Sequence, residues 1–267
     1  MKEKAAACLN FKRVGGVFDT ENKMIKNIIL DMGNVLIEYD VNRPLDALCP
    51  NEESKKIIRR ELFESEDWLE GDRGNITDAQ MLAAAKERVP KEYHDALEKC
   101  ERRWPEFLDR IDGAPEFCRA MRESGKNIYV LSNASGRFYE YFPRFYDMDF
   151  FDGVVVSCDL HIIKPDRRIY EYILNKYGLK ADECLFIDDR EENVRGAEKV
   201  GINAVRFENN YGEIAKKYGL GRGGLPLNAA APCFYDFFFA FIFRLYFAKQ
   251  TMLAMTSPMP MTSTQCR

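Results

Sequence analysis

Ile28-Ile29-Leu30-Asp31-Met32-Gly33-Asn34-Val35-Leu36 sets a carboxylate at the end of a short apolar run and a glycine two residues beyond it. Such a run fits a parallel strand covered on both faces, because a strand with one wet face would alternate apolar and polar residues. Open α/β sheets bind their ligands beyond the carboxyl ends of such strands. Asp31 therefore stands where a nucleophile or a metal ligand is expected.

Working outward, strand signals span residues 27–31, 127–133, 153–157, 184–188 and 203–207, with helical patterns between most of them. Alternation of this kind predicts βαβ units and a Rossmann-like, three-layer α/β fold on a parallel sheet. Residues 168–177 are expected to place Ile169, Tyr172, Ile173 and Tyr177 on one helical face before Gly178. Residues 191–200 are expected to turn Val194, Ala197 and Val200 inward before Gly201. Between Pro44 and Pro105 the strand signal disappears and Glu, Lys, Arg and Ala dominate, with Leu62, Phe63, Trp68, Leu69, Ile76, Met81 and Leu82 as apolar material for a small bundle. This predicts an inserted all-helical cap over 44–105, with Thr77 as a helix N-cap. The catalytic core is then discontinuous, 24–43 and 106–220, and the insertion lies above Asp31.

Residues 1–23 read as an N-terminal extension, with Met24 as an alternative start. Residues 221–267 form a Phe- and Met-rich tail, expected to lie outside the fold as a frameshift or readthrough product, the alternative being an interfacial amphipathic anchor. The run from Phe234 to Ala248 is too short for a transmembrane span and is interrupted by Asp236 and Arg244, so a membrane partner is not expected.

The chain has 267 residues, enough for one large or two modest domains. A net charge of -4 gives no basic face for a phosphate backbone, so no nucleic-acid partner is expected. The 8 cysteines are scattered without a Cys-x-x-Cys pair, which argues against zinc and for a reducing, cytoplasmic setting. No sustained apolar segment follows the N-terminal charges, so no secretory signal is expected.

Four clusters stand at or after predicted strand ends: Asp31, Ser132-Asn133, Lys164-Pro165 and Asp188-Asp189. Singly, each is explained by a helix cap, a turn or a solvated loop. Together they supply a nucleophile, a hydroxyl donor, a cation and a carboxylate pair in order along one sheet. With Asp166 and Asn193 beside the later clusters, residues 24–220 resemble the haloacid dehalogenase superfamily, specifically its phosphatases with a helical cap after the first motif. The Asp-x-Gly-Asn form, with Asp40-x-Asn42-Arg43 further on, is most similar to the branch containing bacterial α-D-glucose-1-phosphate phosphatase.

The resemblance implies roles. Asp31 would attack phosphorus to give an aspartyl-phosphate, with Lys164 supplying positive charge; Ser132, the Asn133 N–H and Lys164 would bind the phosphoryl oxygens. Mg2+ would be held by Asp31, Asp188, Asp189 and the backbone carbonyl of Gly33. The substrate would be a small phosphate monoester, a sugar phosphate such as a hexose 1-phosphate. The Asp188-Asp189 pair disfavours a hydrolytic 2-haloacid dehalogenase, which needs no metal.

Gly33 occupies the position where most phosphatases of this superfamily carry a second Asp, the general acid and base. Three readings stay open: a leaving group that needs little protonation, such as an anomeric oxygen; a carboxylate borrowed from Glu38 or Asp40; or a non-catalytic phosphate-binding or interaction protein. A mutase, which needs that acid more acutely, is disfavoured. Trp68, Asp72 and Arg73 lie in a turn-like stretch able to reach the pocket; alternatively Trp68 is cap core and the two charges are solvated. His94 and His161 fall in no motif.

Overall fold

Ile28, Ile29 and Leu30 are fully buried on both faces of the central strand of a five-stranded parallel sheet, which explains the absence of alternation. The fold is taken from a computed structural model that describes residues 24–220. The expectations for residues 1–23 and 221–267 lie outside the described residues. The strands are β1 (Asn27–Leu30), β2 (Ile37–Glu38), β3 (Asp109–Arg110), β4 (Asn127–Ser132), β5 (Gly153–Val156), β6 (Cys184–Asp188) and β7 (Asn203–Arg206). The large sheet runs β5-β4-β1-β6-β7, so connections leave β1 in both directions and the switch point falls at Asp31. Leu30 registers with Val130 on one side and Ile187 on the other, which brings Asp31, Ser132 and Asp188 to one carboxyl edge.

The helices are α1 (Asn42–Leu48), α2 (Glu52–Ile58), α3 (Glu66–Asp72), α4 (Asp78–Arg88), α5 (His94–Arg103), α6 (Ala114–Glu123), α7 (Phe138–Tyr141), α8 (Arg167–Tyr177), α9 (Glu191–Glu198) and α10 (Tyr211–Lys217). Side chains of the sheet alternate between two cores. Ile28, Leu30, Val130 and Ile187 share one with Phe117 of α6 and Tyr211 of α10; Ile29, Leu131 and Phe186 share the other with α8 and α9.

In α8 the buried face is Ile169, Tyr170 and Ile173, while Tyr172 is 37% exposed, contrary to expectation. At about 100° per residue, Ile169, Ile173, Tyr177 and Tyr170 share one arc and Tyr172 falls outside it. Tyr170 also donates its hydroxyl to the Asn193 carbonyl at 2.8 Å, which ties α8 to α9. In α9, Val194 and Ala197 are buried and Val200 is half-buried just past the helix end.

Between β2 and β3 every regular element is helical, from Asn42 to a final turn ending at Phe107. Its helix starts follow local chemistry. Asn51 and Ser54 form a capping box at α2, Ser65 caps α3, and Thr77 with Gln80 forms a capping box at α4, as the sequence predicts. The antiparallel β2–β3 pair carries the chain into and out of this module, and Arg43 bridges it through Glu38 at 3.3 Å and Asp109 at 2.6 Å. No helix among the described residues is long and apolar enough to cross a membrane.

Candidate active site

Asp31 is the first residue beyond β1. Its Oδ1 accepts the Met32 N–H at 2.7 Å and lies 2.7 Å from the Lys164 ammonium. Asp188 ends β6 and is fully buried; its Oδ2 accepts the same ammonium at 2.7 Å. The Oδ1 of Asp188 accepts the Arg190 N–H at 2.8 Å and the Asn193 amide at 3.0 Å, so the first turn of α9 fixes its orientation. Lys164 itself comes from the loop between β5 and α8. It is 3% exposed, so its charge is compensated within the site.

Asn133 holds that loop. Its Oδ1 accepts the Lys164 N–H at 2.8 Å while its amide donates to the Lys164 carbonyl at 3.0 Å, which joins the second sequence cluster to the third. Asn34 plays the matching part on the other side. It adopts a left-handed backbone (φ 54), which Asn tolerates better than most residues, donates to Asp189 Oδ2 at 3.2 Å and accepts the Tyr39 N–H at 2.9 Å. Ser132 Oγ is buried and has no hydrogen-bond partner among the described residues. A buried unpaired hydroxyl of this kind suits a ligand that supplies the acceptor.

The charges do not balance. Burial pushes the Asp31 carboxyl up to about 8, with Lys164 opposing and Asp188 and Asp189 adding to the rise. Burial likewise raises Asp189, against the pull of the Asn34 amide. For Lys164, burial works to lower its pKa, but Asp188 and Asp31 hold it above the ordinary value. One ammonium thus faces three carboxylates whose nearest oxygens lie within 4.8 Å of one another. Hard oxygen donors with excess negative charge fit a divalent cation such as Mg2+.

The structure therefore brings Asp31, Ser132, Lys164, Asp188 and Asp189 together. Gly33 follows in the same loop, and a Cβ built there would meet nothing within 4 Å. The proposed substitutes for a missing acid are engaged elsewhere: Glu38 is exposed and paired with Arg43, and Asp40 accepts the Asn42 N–H at 2.9 Å and amide at 2.6 Å. Trp68 packs against Phe63 at 5.2 Å, Trp104 at 5.4 Å and Tyr39 at 6.3 Å; Trp104 reaches Tyr141 at 5.3 Å. Arg73 pairs with Glu70 and Glu66. His94 bonds the Lys86 and Val89 carbonyls, and His161 meets Asn75. Sequence reasoning quoted Asn34 without a role and missed Tyr39 and Tyr141. The Gly-Asn dipeptide after a strand was the available signal for the first; the two tyrosines carry none.

Residues 25–201 match the haloacid dehalogenase-like hydrolase family. A sesquiterpene phosphatase of Aspergillus oryzae is 27% identical over 180 residues, covering 66% of this chain and 87% of that protein. The D-ribitol-5-phosphate phosphatase of Bacteroides thetaiotaomicron is 22% identical over 195 residues, 70% of this chain and 93% of its own. A drimenol cyclase of Aspergillus calidoustus is 24% identical over 194 residues, 69% of this chain; the chain spans 34% of that relative. Among solved structures, the magnesium complex of a haloacid dehalogenase family enzyme from Bacteroides thetaiotaomicron superposes with a TM-score of 0.56 at 25% identity, covering 70% of this chain and 95% of that one. The family match runs from the strand before Asp31 to the helix after Asp188-Asp189, well over half of the sequence, and the chain belongs to the haloacid dehalogenase-like hydrolases.

Proposed function

We propose that the protein is a Mg2+-dependent phosphatase of small phosphate monoesters that works through an aspartyl-phosphate on Asp31. The observation that carries this reading is the buried Lys164 ammonium held 2.7 Å from both Asp31 and Asp188. In it, one Asp31 oxygen attacks phosphorus, while Lys164, the Ser132 hydroxyl and the Asn133 N–H receive the phosphoryl oxygens. Asp31, Asp188, Asp189 and the Gly33 carbonyl are the residues that would hold the metal. When bound, the metal supplies the positive charge that lets an anionic nucleophile meet an anionic ester. The same reading divides the protein into the core, 24–43 and 106–220, and the cap, 44–105.

A sugar phosphate such as a hexose 1-phosphate is supported by the Asp-x-Gly-Asn form and by a polyol-phosphate phosphatase among the relatives. A second reading, the phosphate of an apolar alcohol, is favoured by the aromatic cluster of Tyr39, Trp68, Trp104 and Tyr141 where insertion meets sheet, and by the sesquiterpene phosphatase relative. Hydrolysis of hexose 1-phosphates, pentitol 5-phosphates, farnesyl phosphate and aryl phosphates, each with and without Mg2+, separates the two by kcat/KM. Turnover that is Mg2+-dependent and lost in Asp31→Asn supports the phosphatase. Turnover surviving that substitution overturns the nucleophile; no turnover on any ester leaves the interaction-protein reading in its place.

A further inference from the structure

With glycine at position 33, the nucleophile's own loop offers no side chain to protonate a departing alcohol. The helical insertion delivers a carboxylate to the same edge of the sheet. Asp72, the last residue of α3, accepts the Ser157 hydroxyl on its carbonyl at 2.5 Å. Ser157 also accepts the Ala134 N–H at 3.0 Å, so Asp72 is pinned to the loop that begins with Ser132 and Asn133. Two residues on, Gly74 seats against the Cys158 carbonyl so closely that a Cβ would lie 2.4 Å from that oxygen. The turn 72–74 is thus fixed over the loops that follow β4 and β5. Burial raises Tyr141 above its ordinary value, with Asp72 and Asp31 both adding to the rise. The Tyr39 hydroxyl, buried and without a hydrogen-bond partner among the described residues, senses Asp72 from the loop after β2.

We infer that Asp72, reaching in from the insertion, is the catalytic acid and base that stands in for the side chain absent at Gly33. The inference rests on the phosphatase reading. In the first step Asp31 bonds to phosphorus, the bond from phosphorus to the alcohol oxygen breaks, and that oxygen takes the Asp72 proton and leaves as neutral alcohol. In the second step water oxygen bonds to the phosphorus of the aspartyl-phosphate and gives a proton to Asp72. The bond to Asp31 breaks, which restores both carboxyl groups to their starting forms and releases inorganic phosphate.

Its surroundings suit the task. Burial holds the Asp72 carboxyl up to about 7, with the Ser135 N–H opposing and Asp78 of α4 adding to the rise. The other titratable groups that sense it, Tyr39, Tyr141 of α7 and Cys158, are neutral in their ordinary forms. Arg137, the cation on that side, is turned to the Glu101 side chain and carbonyl and to the Trp104 ring. A carboxyl poised near neutrality can both give and take a proton at working pH.

The test compares the full-length protein and Asp72→Asn, both with Mg2+, on an alkyl phosphate and on p-nitrophenyl phosphate. Asparagine keeps the shape of the side chain but has no acidic proton to give. The kcat/KM on the alkyl phosphate, which reports the steps up to departure of the alcohol, is expected to fall ~10² to 10⁴-fold, the usual worth of general acid–base help. On nitrophenyl phosphate, whose leaving group needs no proton, kcat/KM is expected to change far less, while kcat falls with the slowed hydrolysis of the aspartyl-phosphate. In the wild type the alkyl ester should lose kcat/KM as pH rises through about 7, a limb absent with the nitrophenyl ester, and this comparison needs no variant. Equal losses of kcat/KM on both esters, no loss on either, or the same limb for both would make Asp72 a docking residue and overturn the inference. Failure of the wild type on both esters would instead remove the phosphatase reading, and this assignment with it.

Discussion

Asn133→Leu should damage both stability and turnover, because the Asn133 side chain satisfies two backbone groups of a nearly buried residue. Its amide and its oxygen bond the Lys164 carbonyl and N–H at 3.0 and 2.8 Å. Leucine leaves both unpaired, at about 1–3 kcal/mol each. Allowing some relief by water, the loss comes to about 2–4 kcal/mol. For a domain of this size that is a fall in Tm of about 4–16 °C. The ammonium that bridges Asp31 and Asp188 shifts with its backbone, and a displacement of about 1 Å at a reacting centre costs on the order of 10² in kcat. Thermal unfolding followed by circular dichroism, beside kcat on an aryl phosphate, reads both effects. Asn133→Asp, which keeps the acceptor and loses the donor, should fall between the two. A wild-type Tm and kcat in Asn133→Leu would refute the idea that this side chain holds Lys164 in place.

Two further substitutions separate stability from function. Ser132→Ala removes a buried hydroxyl that has no partner among the described residues; it should leave Tm unchanged or higher by about 1 kcal/mol equivalent, while kcat/KM on phosphate esters falls about 10² to 10³-fold. A lowered Tm would show that the hydroxyl serves the fold instead. Asn34→Gly keeps the left-handed backbone but drops the hydrogen bond to Asp189; the Mg2+ concentration for half-maximal activity should rise about 10- to 100-fold, with kcat at saturating Mg2+ retained. An unchanged Mg2+ titration would contradict the part given to Asn34.

The fold was legible because β1 is apolar from Ile28 to Leu30 and the strands recur with helices between them; a sheet covered on both faces has no other way to write itself. The strand-end clusters were legible for the same reason, since Asp31 and Asp188 sit where register alone carries them to one edge. The packing of α8 was less so: two tyrosines on either side of Glu171 satisfy a loose helical count, and the arc shared by Ile169 and Ile173 chooses Tyr170. The linkage of Asn133 to Lys164 could not be read, because the two are 31 positions apart and depend on how two loops meet. Glu38 and Asp40 were sought as acids for their closeness in sequence to Asp31, yet the chain turns there into the insertion and their charges serve Arg43 and Asn42. Asp72, more distant in sequence, is carried over the loops after β4 and β5 because Ser157 and Cys158 dock its turn.

The claim that everything else depends on is phosphoryl transfer to Asp31. Rapid acid quench of the protein turning over an aryl phosphate with Mg2+, followed by proteolysis and mass spectrometry, tests it directly. The account predicts an acid-stable, hydroxylamine-sensitive phosphoryl group on the peptide containing Asp31, absent without Mg2+ and absent in Asp31→Asn. Steady turnover with that peptide unmodified at every quench time, or with the phosphoryl group on another residue, would contradict it.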